Sequence, residues 1–217
     1  MKKIIIIGAG AMGSAFAVPC LENQNEVTLV GTHLEDDLIN NIKSNNNLHP
    51  ALNIELPSKL KVEKFEKLQS ILEEGVDIMV AGVSSVGIEW FVKQITKSYK
   101  KNLPIILLTK GLAIEGNELI TLSDKIKKLL KDEGHTQVNI SAIKGPCLAA
   151  GLAYKMRTGT VIANPDIKET EKLKKIISTD YYSTEVSDDL TGIELSGAIK
   201  NIYSMLIGAS EGLSNSK

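Results

Sequence analysis

Residues 4–7 are four isoleucines in a row, followed at once by Gly8, Gly10 and Gly13. A run that does not alternate has no polar face, so it reads as a strand covered on both sides, the kind found in parallel sheets. A helical run with Ala11, Ala15, Phe16 and Val18 begins directly after the glycines. Each glycine then has a mechanical role. Gly8 permits the sharp exit from the strand, Gly10 lets a pyrophosphate approach the backbone, and Gly13 lets helix and strand pack closely. The amides and dipole of the helix N-terminus face the phosphates. Glycine spacing alone is weak evidence, but a strand before and a helix after make Gly8, Ala9, Gly10, Ala11, Met12 and Gly13 a dinucleotide-binding loop.

The same alternation continues along the chain. Strands are expected at 27–30, 60–62, 77–80, 104–109, 138–142, 160–163 and 181–186. Helices are expected at 11–23, 34–44, 65–74, 86–99, 116–133, 148–156 and 167–178, with a polar loop over 45–58. This pattern predicts an α/β, Rossmann-type, doubly wound and mostly parallel sheet. In such folds an acid at the end of the second strand holds the ribose 2′-hydroxyl, and an arginine there accepts a 2′-phosphate. Here the tip is Gly31-Thr32-His33, with Glu35, Asp36 and Asp37 slightly later and no arginine. The reading therefore favours NAD without excluding NADP, with Thr32, Val83 and Ser84 along the cofactor's flank.

Open α/β sheets bind ligands at the carboxyl ends of their strands. Two strand ends carry chemistry there: Lys110-Gly111 after 104–109, and Lys144-Gly145-Pro146-Cys147 after 138–142. The stretch 188–213 then breaks the alternation. It reads as one long helix opened by Asp188 and Asp189, whose carboxylates suit the positive end of the dipole. At ~100° per residue, Leu195, Ala198, Ile199, Ile202, Met205, Leu206 and Ala209 share one side, and Gly197, Lys200, Asn201, Ser204 and Gly208 the other. Glycine within a helix costs ~0.5–1 kcal/mol against alanine, which points to a ligand or another backbone pressed on that side.

Composition narrows the classes further. With 217 residues there is room for one domain and part of a second. A net charge of −1 gives no bulk attraction to nucleic acid. The lysine pairs at 100–101, 127–128 and 174–175 read as solvated helix faces. Cys20 and Cys147 have no metal or redox spacing and read as reduced thiols of a cytoplasmic protein. The apolar run after Lys2 and Lys3 is too short for a signal sequence or a membrane span.

With those residues in view, the chain resembles the NAD(P)-dependent glycerol-3-phosphate dehydrogenase family, its bacterial and archaeal members above all. The matching pieces are 8–13, 25–31, Lys110-Gly-Leu112, Lys144-Gly-Pro146 and the long run Gly192-Ile-Glu-Leu-Ser-Gly-Ala-Ile-Lys-Asn201. The resemblance implies a cofactor-binding domain over 1–187 and, over 188–217, the opening helix of an all-α substrate domain. It implies reversible hydride transfer between NAD(P)H and dihydroxyacetone phosphate, giving sn-glycerol 3-phosphate. By position, Lys200 matches the general acid, Lys110 the lysine that polarises or holds the substrate carbonyl, and Gly145 and Asn201 substrate-binding positions. A small phosphate substrate and a homo-oligomer, or pairing with the remainder of the helical domain, follow as expectations.

Two departures qualify the match. The family's Gly-Pro-Ser-x-Ala-x-Glu pattern stands here as Gly145-Pro-Cys-Leu-Ala-Ala-Gly151. Family members also continue beyond this length, into a region carrying an aspartate and an Arg-Asn pair that grips phosphate. The expectation is that these residues alone bind cofactor and turn over little substrate. A non-catalytic dinucleotide-binding module, or a ketopantoate- or β-hydroxyacid-type reductase, is the alternative.

Overall fold

The computed structural model describes residues 1–100 and 102–214. Lys101 of the first lysine pair, and residues 215–217 of the C-terminal unit, lie outside them. The chain begins β1 (Lys3–Ile7), α1 (Ala11–Glu22), β2 (Glu26–Val30), α2 (Asp36–Ser44). A small hairpin of β3 (Leu48–His49) and β4 (Ile54–Glu55) precedes β5 (Lys61–Glu63), α3 (Leu68–Glu74), β6 (Ile78–Ala81) and α4 (Ile88–Ile95). Then come β7 (Ile105–Leu107), a second hairpin of β8 (Leu112–Glu115) and β9 (Glu118–Thr121), and α5 (Leu122–Asp132). The chain closes with β10 (Ile140–Lys144), α6 (Ala149–Ala153), β11 (Thr158–Ala163), α7 (Ile167–Ile177), β12 (Tyr182–Ser187) and α8 (Leu190–Ser214).

One eight-stranded sheet, in the order β12-β11-β10-β7-β6-β1-β2-β5, organises these elements. The isoleucines of β1 show why it is central. Ile4 and Ile6 enter one core with Phe16, Leu29 and Ile39, while Ile5 and Ile7 enter the other with Leu68, Phe91 and Ile126. Each such side chain, fully buried, contributes about 2 kcal/mol of transfer free energy. Helices follow the same logic: in α4, Ile88, Phe91, Val92 and Ile95 are buried at the i, i+3, i+4, i+7 spacing of a single stripe.

Two expectations are corrected. The polar loop over 45–58 contains the β3–β4 hairpin and ends with Leu52 and Leu56 buried. The helix expected over 116–133 starts only at Leu122, because Gly116-Asn117 turns β8 back onto β9. Gly116 sits at φ +58, the conformation a tight hairpin turn demands. Thr121 then caps the helix, its Oγ1 accepting the Asp124 N–H at 3.1 Å.

The sheet is mostly parallel, as the alternation predicts, with one reversal. Strands β5, β2, β1, β6, β7 and β10 are parallel, but β11 pairs antiparallel to β10. β12 then runs parallel to β11 and therefore ends at the opposite sheet edge from β10. This reversal lets α8 start at the amino edge and climb the sheet face. Leu190, in its first turn, packs on Ala142 and Ala163, and Gly197, two turns later, lies on Lys144, the last residue of β10.

Candidate cofactor and substrate site

The glycine loop is built of backbone against backbone. Gly8 sits at φ +110, and a Cβ there would stand 2.7 Å from the Gly82 carbonyl carbon. A Cβ on Gly13 would stand 2.2 Å from the Gly8 carbonyl oxygen, so the first turn of α1 is pressed onto the strand exit. Gly10 differs. A Cβ there would meet only Glu35 Oε1, at 4.0 Å. The space in front of Gly10 is thus open, and α1 has no acidic residue in its first turn and no side-chain cap. Its free amides, at Ala11, Met12 and Gly13, are donors for an anion at the positive end of the helix dipole.

Side chains that sequence reasoning did not assign hold this loop. His49, in the β3–β4 hairpin, is buried. Its Nδ1 accepts the Leu52 N–H at 3.2 Å, which leaves Nε2 to donate to the Ala9 carbonyl at 3.0 Å. Ser14 Oγ donates to the same carbonyl at 2.9 Å. From the other side Glu35 curls back over the second strand's tip, accepting the Ala9 N–H at 3.0 Å and the Thr32 N–H at 2.7 Å. The acid sought at the end of β2 is therefore present, but it lies beyond the tip and reaches it only through the turn at 32–35. Thr32 is placed beside the loop by that contact. Val83, at the exit of β6, is buried, and its carbonyl accepts a 2.7 Å bond from Thr109 Oγ1; Ser84 is exposed.

A cavity of about 320 Å³ opens at the carboxyl edge of the sheet, between its strand ends and α8. It is lined by Lys110, Lys144, Gly145 and Lys200, with Ile193, Gly197 and neighbours. A smaller pocket on the other side of Lys110 and Lys144 reaches Met12 and Phe16 of α1 and also touches Cys147. The lysines thus stand between the loop's helix and α8. Lys110 has a lowered pKa, first from partial burial of its ammonium and then from the Lys200 charge, although the residue as a whole is exposed.

Lys144 is the lysine that pattern reading left without a role. It is 4% exposed, and its Nζ donates to the Leu107 carbonyl at 3.0 Å. Burial pushes its pKa down to about 8; the carboxylate of Glu194 opposes that shift and Lys110 adds to it. Glu194, on α8, is itself buried: Oε1 accepts the Ser123 N–H at 3.2 Å and Oε2 has no hydrogen-bond partner.

The two faces expected of α8 are redistributed. A Cβ on Gly197 would stand 3.1 Å from Lys144 Cδ, tighter than ordinary contact, so a lysine stem lies against that position of α8. Among the described residues nothing lies within 4 Å of a Cβ on Gly208. Asp189 does open the helix, its Oδ1 accepting the Gly192 N–H at 2.8 Å. Asn201 is exposed and is not brought to the cavity wall. The apolar stripe is also uncovered: Leu195, Ile199, Ile202, Met205 and Leu206 are all exposed.

Fold and loop together define a dinucleotide-binding Rossmann domain. The chain belongs, more particularly, to the NAD-dependent glycerol-3-phosphate dehydrogenase family, whose N-terminal region matches residues 3–170. An Archaeoglobus fulgidus protein named NADP(+)-dependent glycerol-3-phosphate dehydrogenase is 34% identical over 216 residues, covering 99% of this chain and 62% of the relative. A Bacillus pumilus glycerol-3-phosphate dehydrogenase [NAD(P)+] is 27% identical, with 98% and 59% covered. The crystal structure of glycerol-3-phosphate dehydrogenase from Coxiella burnetii superposes with a TM-score of 0.83 at 25% identity, over all of this chain and 63% of that one. A ketopantoate reductase from Ralstonia eutropha shares the fold alone, at TM-score 0.61 and 16% identity. The chain spans about three fifths of the length of the curated relatives it matches.

Proposed function

We propose that this chain forms the cofactor half and one wall of the substrate site of a glycerol-3-phosphate dehydrogenase, interconverting dihydroxyacetone phosphate and sn-glycerol 3-phosphate. The observation that carries the reading is the convergence, at one sheet edge, of an open glycine loop and a cavity lined by lysines. The bound nicotinamide supplies or accepts the hydride. The protein's part is to hold the dinucleotide on the amides at 11–13, with Gly8, Ala9, Gly10, Thr32, Val83 and Ser84 along it, and to manage charge and proton at the carbonyl oxygen. A ketone receiving hydride develops alkoxide charge, and a positioned ammonium stabilises it and can supply the proton. Lys200 is assigned as that general acid, Lys110 as the cation that polarises the carbonyl, and Gly145 as a substrate-binding position; Asn201, outside this cavity wall, joins them only on the side of α8 that a helical domain would cover.

Glu35 supports NAD(H) as the preferred dinucleotide. Its carboxylate, anchored on the Ala9 and Thr32 amides, stands where the fold places the adenosine ribose. There it can accept a 2′-hydroxyl and repels a 2′-phosphate. Among the described residues no helix is long and apolar enough to cross a membrane, in keeping with a cytoplasmic enzyme. The uncovered stripe of α8 supports association, with a second copy or with the rest of a helical domain like that of the family. NADH titration of the wild type and Gly10→Val tests the reading. Gly10→Val is expected to lower affinity at least about 100-fold, by placing a branched side chain where the pyrophosphate approaches. Equal affinity in both proteins would overturn it.

A further inference from the structure

A buried lysine is costly, because an ammonium taken out of water loses several kcal/mol of hydration unless it is paired. Lys144 has one hydrogen-bond partner among the described residues, the Leu107 carbonyl. That leaves two of its three N–H donors without a protein acceptor. A lysine kept only to balance Glu194 would contact it. Instead Glu194 Oε1 is taken by the Ser123 amide, and the two charges act on each other through space.

The surroundings of Lys144 carry an unbalanced charge. On the loop after β7 stands Lys110, and on α8 stand Lys200 and Glu194. The neighbouring strands contribute Leu107, Leu108, Thr160, Val161 and Tyr182, whose phenol burial keeps neutral, and α1 contributes Met12 and Phe16. Cys147 is a thiol whose pKa burial raises, which keeps it neutral. Three ammonium groups against one carboxylate leave about two positive charges facing a cavity that, among the described residues, has no acidic residue in its wall.

We propose that Lys144 is a third ligand-binding lysine of this cavity, and that with Lys110 and Lys200 it selects a phosphate-monoester dianion. The proposal rests on the cofactor and substrate reading above and deepens it. A dianion neutralises the surplus charge, and phosphate oxygens accept the two free N–H groups of Lys144 as charge-assisted bonds. Glu194 keeps the empty site from carrying the full cationic repulsion.

The test measures binding of inorganic phosphate, glycerol 3-phosphate and glycerol to the 217-residue chain saturated with NADH, by calorimetry. The wild type is expected to bind both phosphates and not glycerol. Lys144→Met is expected to weaken phosphate binding at least about tenfold, the worth of one charge-assisted bond, with NADH affinity unchanged. Glu194→Gln retains an acceptor for the Ser123 amide and removes the opposing charge, so at a pH low enough to keep Lys144 protonated in both proteins phosphate binding tightens. Wild-type affinity for glycerol 3-phosphate should fall as pH rises through about 8, where Lys144 loses its proton; the ester is already a dianion there, its second pKa being about 6. That fall should persist in Lys110→Met and vanish in Lys144→Met. Should Lys144→Met not fold, the pH profile in wild type and Glu194→Gln decides, the latter titrating at lower pH. Unchanged phosphate affinity in Lys144→Met, or no effect of Glu194→Gln, overturns the proposal. So does NADH binding without any phosphate binding, which leaves the cofactor reading intact. Failure to bind NADH would instead remove the reading on which it rests.

Discussion

The glycine loop and the lysine-bearing helix α8 meet at the same sheet edge, yet they are built in opposite ways. Except in front of Gly10, the loop is tightly packed: Gly8 touches Gly82, Gly13 touches Gly8, and His49, Ser14 and Glu35 tie down Ala9. Helix α8 docks through its first turns, by Leu190, Ile193, Glu194 and Gly197, and beyond residue 200 all its described residues are exposed. The difference teaches that the glycine loop owes its geometry to this sheet, whereas Lys200 of α8 is positioned by one short seam. That seam runs over Lys144.

The comparison breaks first at Gly13. Gly13→Val drives a branched side chain into the Gly8 carbonyl, where a Cβ alone would stand at 2.2 Å. The expected loss is about 3 kcal/mol or more, read from urea unfolding midpoints; a wild-type midpoint would show the loop to be loosely packed. Gly10→Val, three residues away, faces open space and should leave that midpoint within about 1 kcal/mol while abolishing tight NADH binding.

The seam is probed next by pH. Lys144 has a folded-state pKa of about 8, below its ordinary 10.5. The charged lysine is therefore penalised in the folded state, and that penalty is present in full below about pH 8. Between there and 10.5 the unfolded chain holds more protons than the folded one, so stability rises with pH. The rise should reach up to about 3 kcal/mol and be absent in Lys144→Met, as thermal melts of both proteins across this window would reveal. Parallel melts would place Lys144 in contact with water.

A smaller effect sharpens the loop's side. Glu35→Gln keeps the side chain's shape and removes its charge, so the NADH-over-NADPH affinity ratio should drop about tenfold. An unchanged ratio would assign cofactor choice to another residue. The smallest effect belongs to the outer part of α8. Leu206 is exposed, so Leu206→Glu should change unfolding stability by no more than about 0.5 kcal/mol, while reducing any self-association seen by sedimentation.

What was legible in the sequence is what local chemistry determines. Four isoleucines that bury alternately on two faces, glycines at fixed spacing and the start of a helix specify the βα turn without help from distant residues. The strand ends that carry Lys110 and Gly145, and the helix opening at Asp189, were readable in the same way. The hairpin at 112–121 was missed because Gly116-Asn117 lay inside an apparently helical period. His49 was missed, and Glu35 stood only as one of three acids past the tip, because a loop's polar residues do not declare which carbonyl or amide they will meet.

By itself, the sequence determined the mostly parallel α/β sheet, the glycine loop and the family, since each rests on residues close together in the chain. Only the tertiary structure decided the reversal at β11, which sends α8 up the sheet face and brings Lys200 to the edge where Lys110 stands. It also decided that Lys144 is buried between them. Strand direction depends on which edge a connection crosses, and the pKa of a lysine depends on what covers it. Neither quantity is a property of neighbouring residues in the chain.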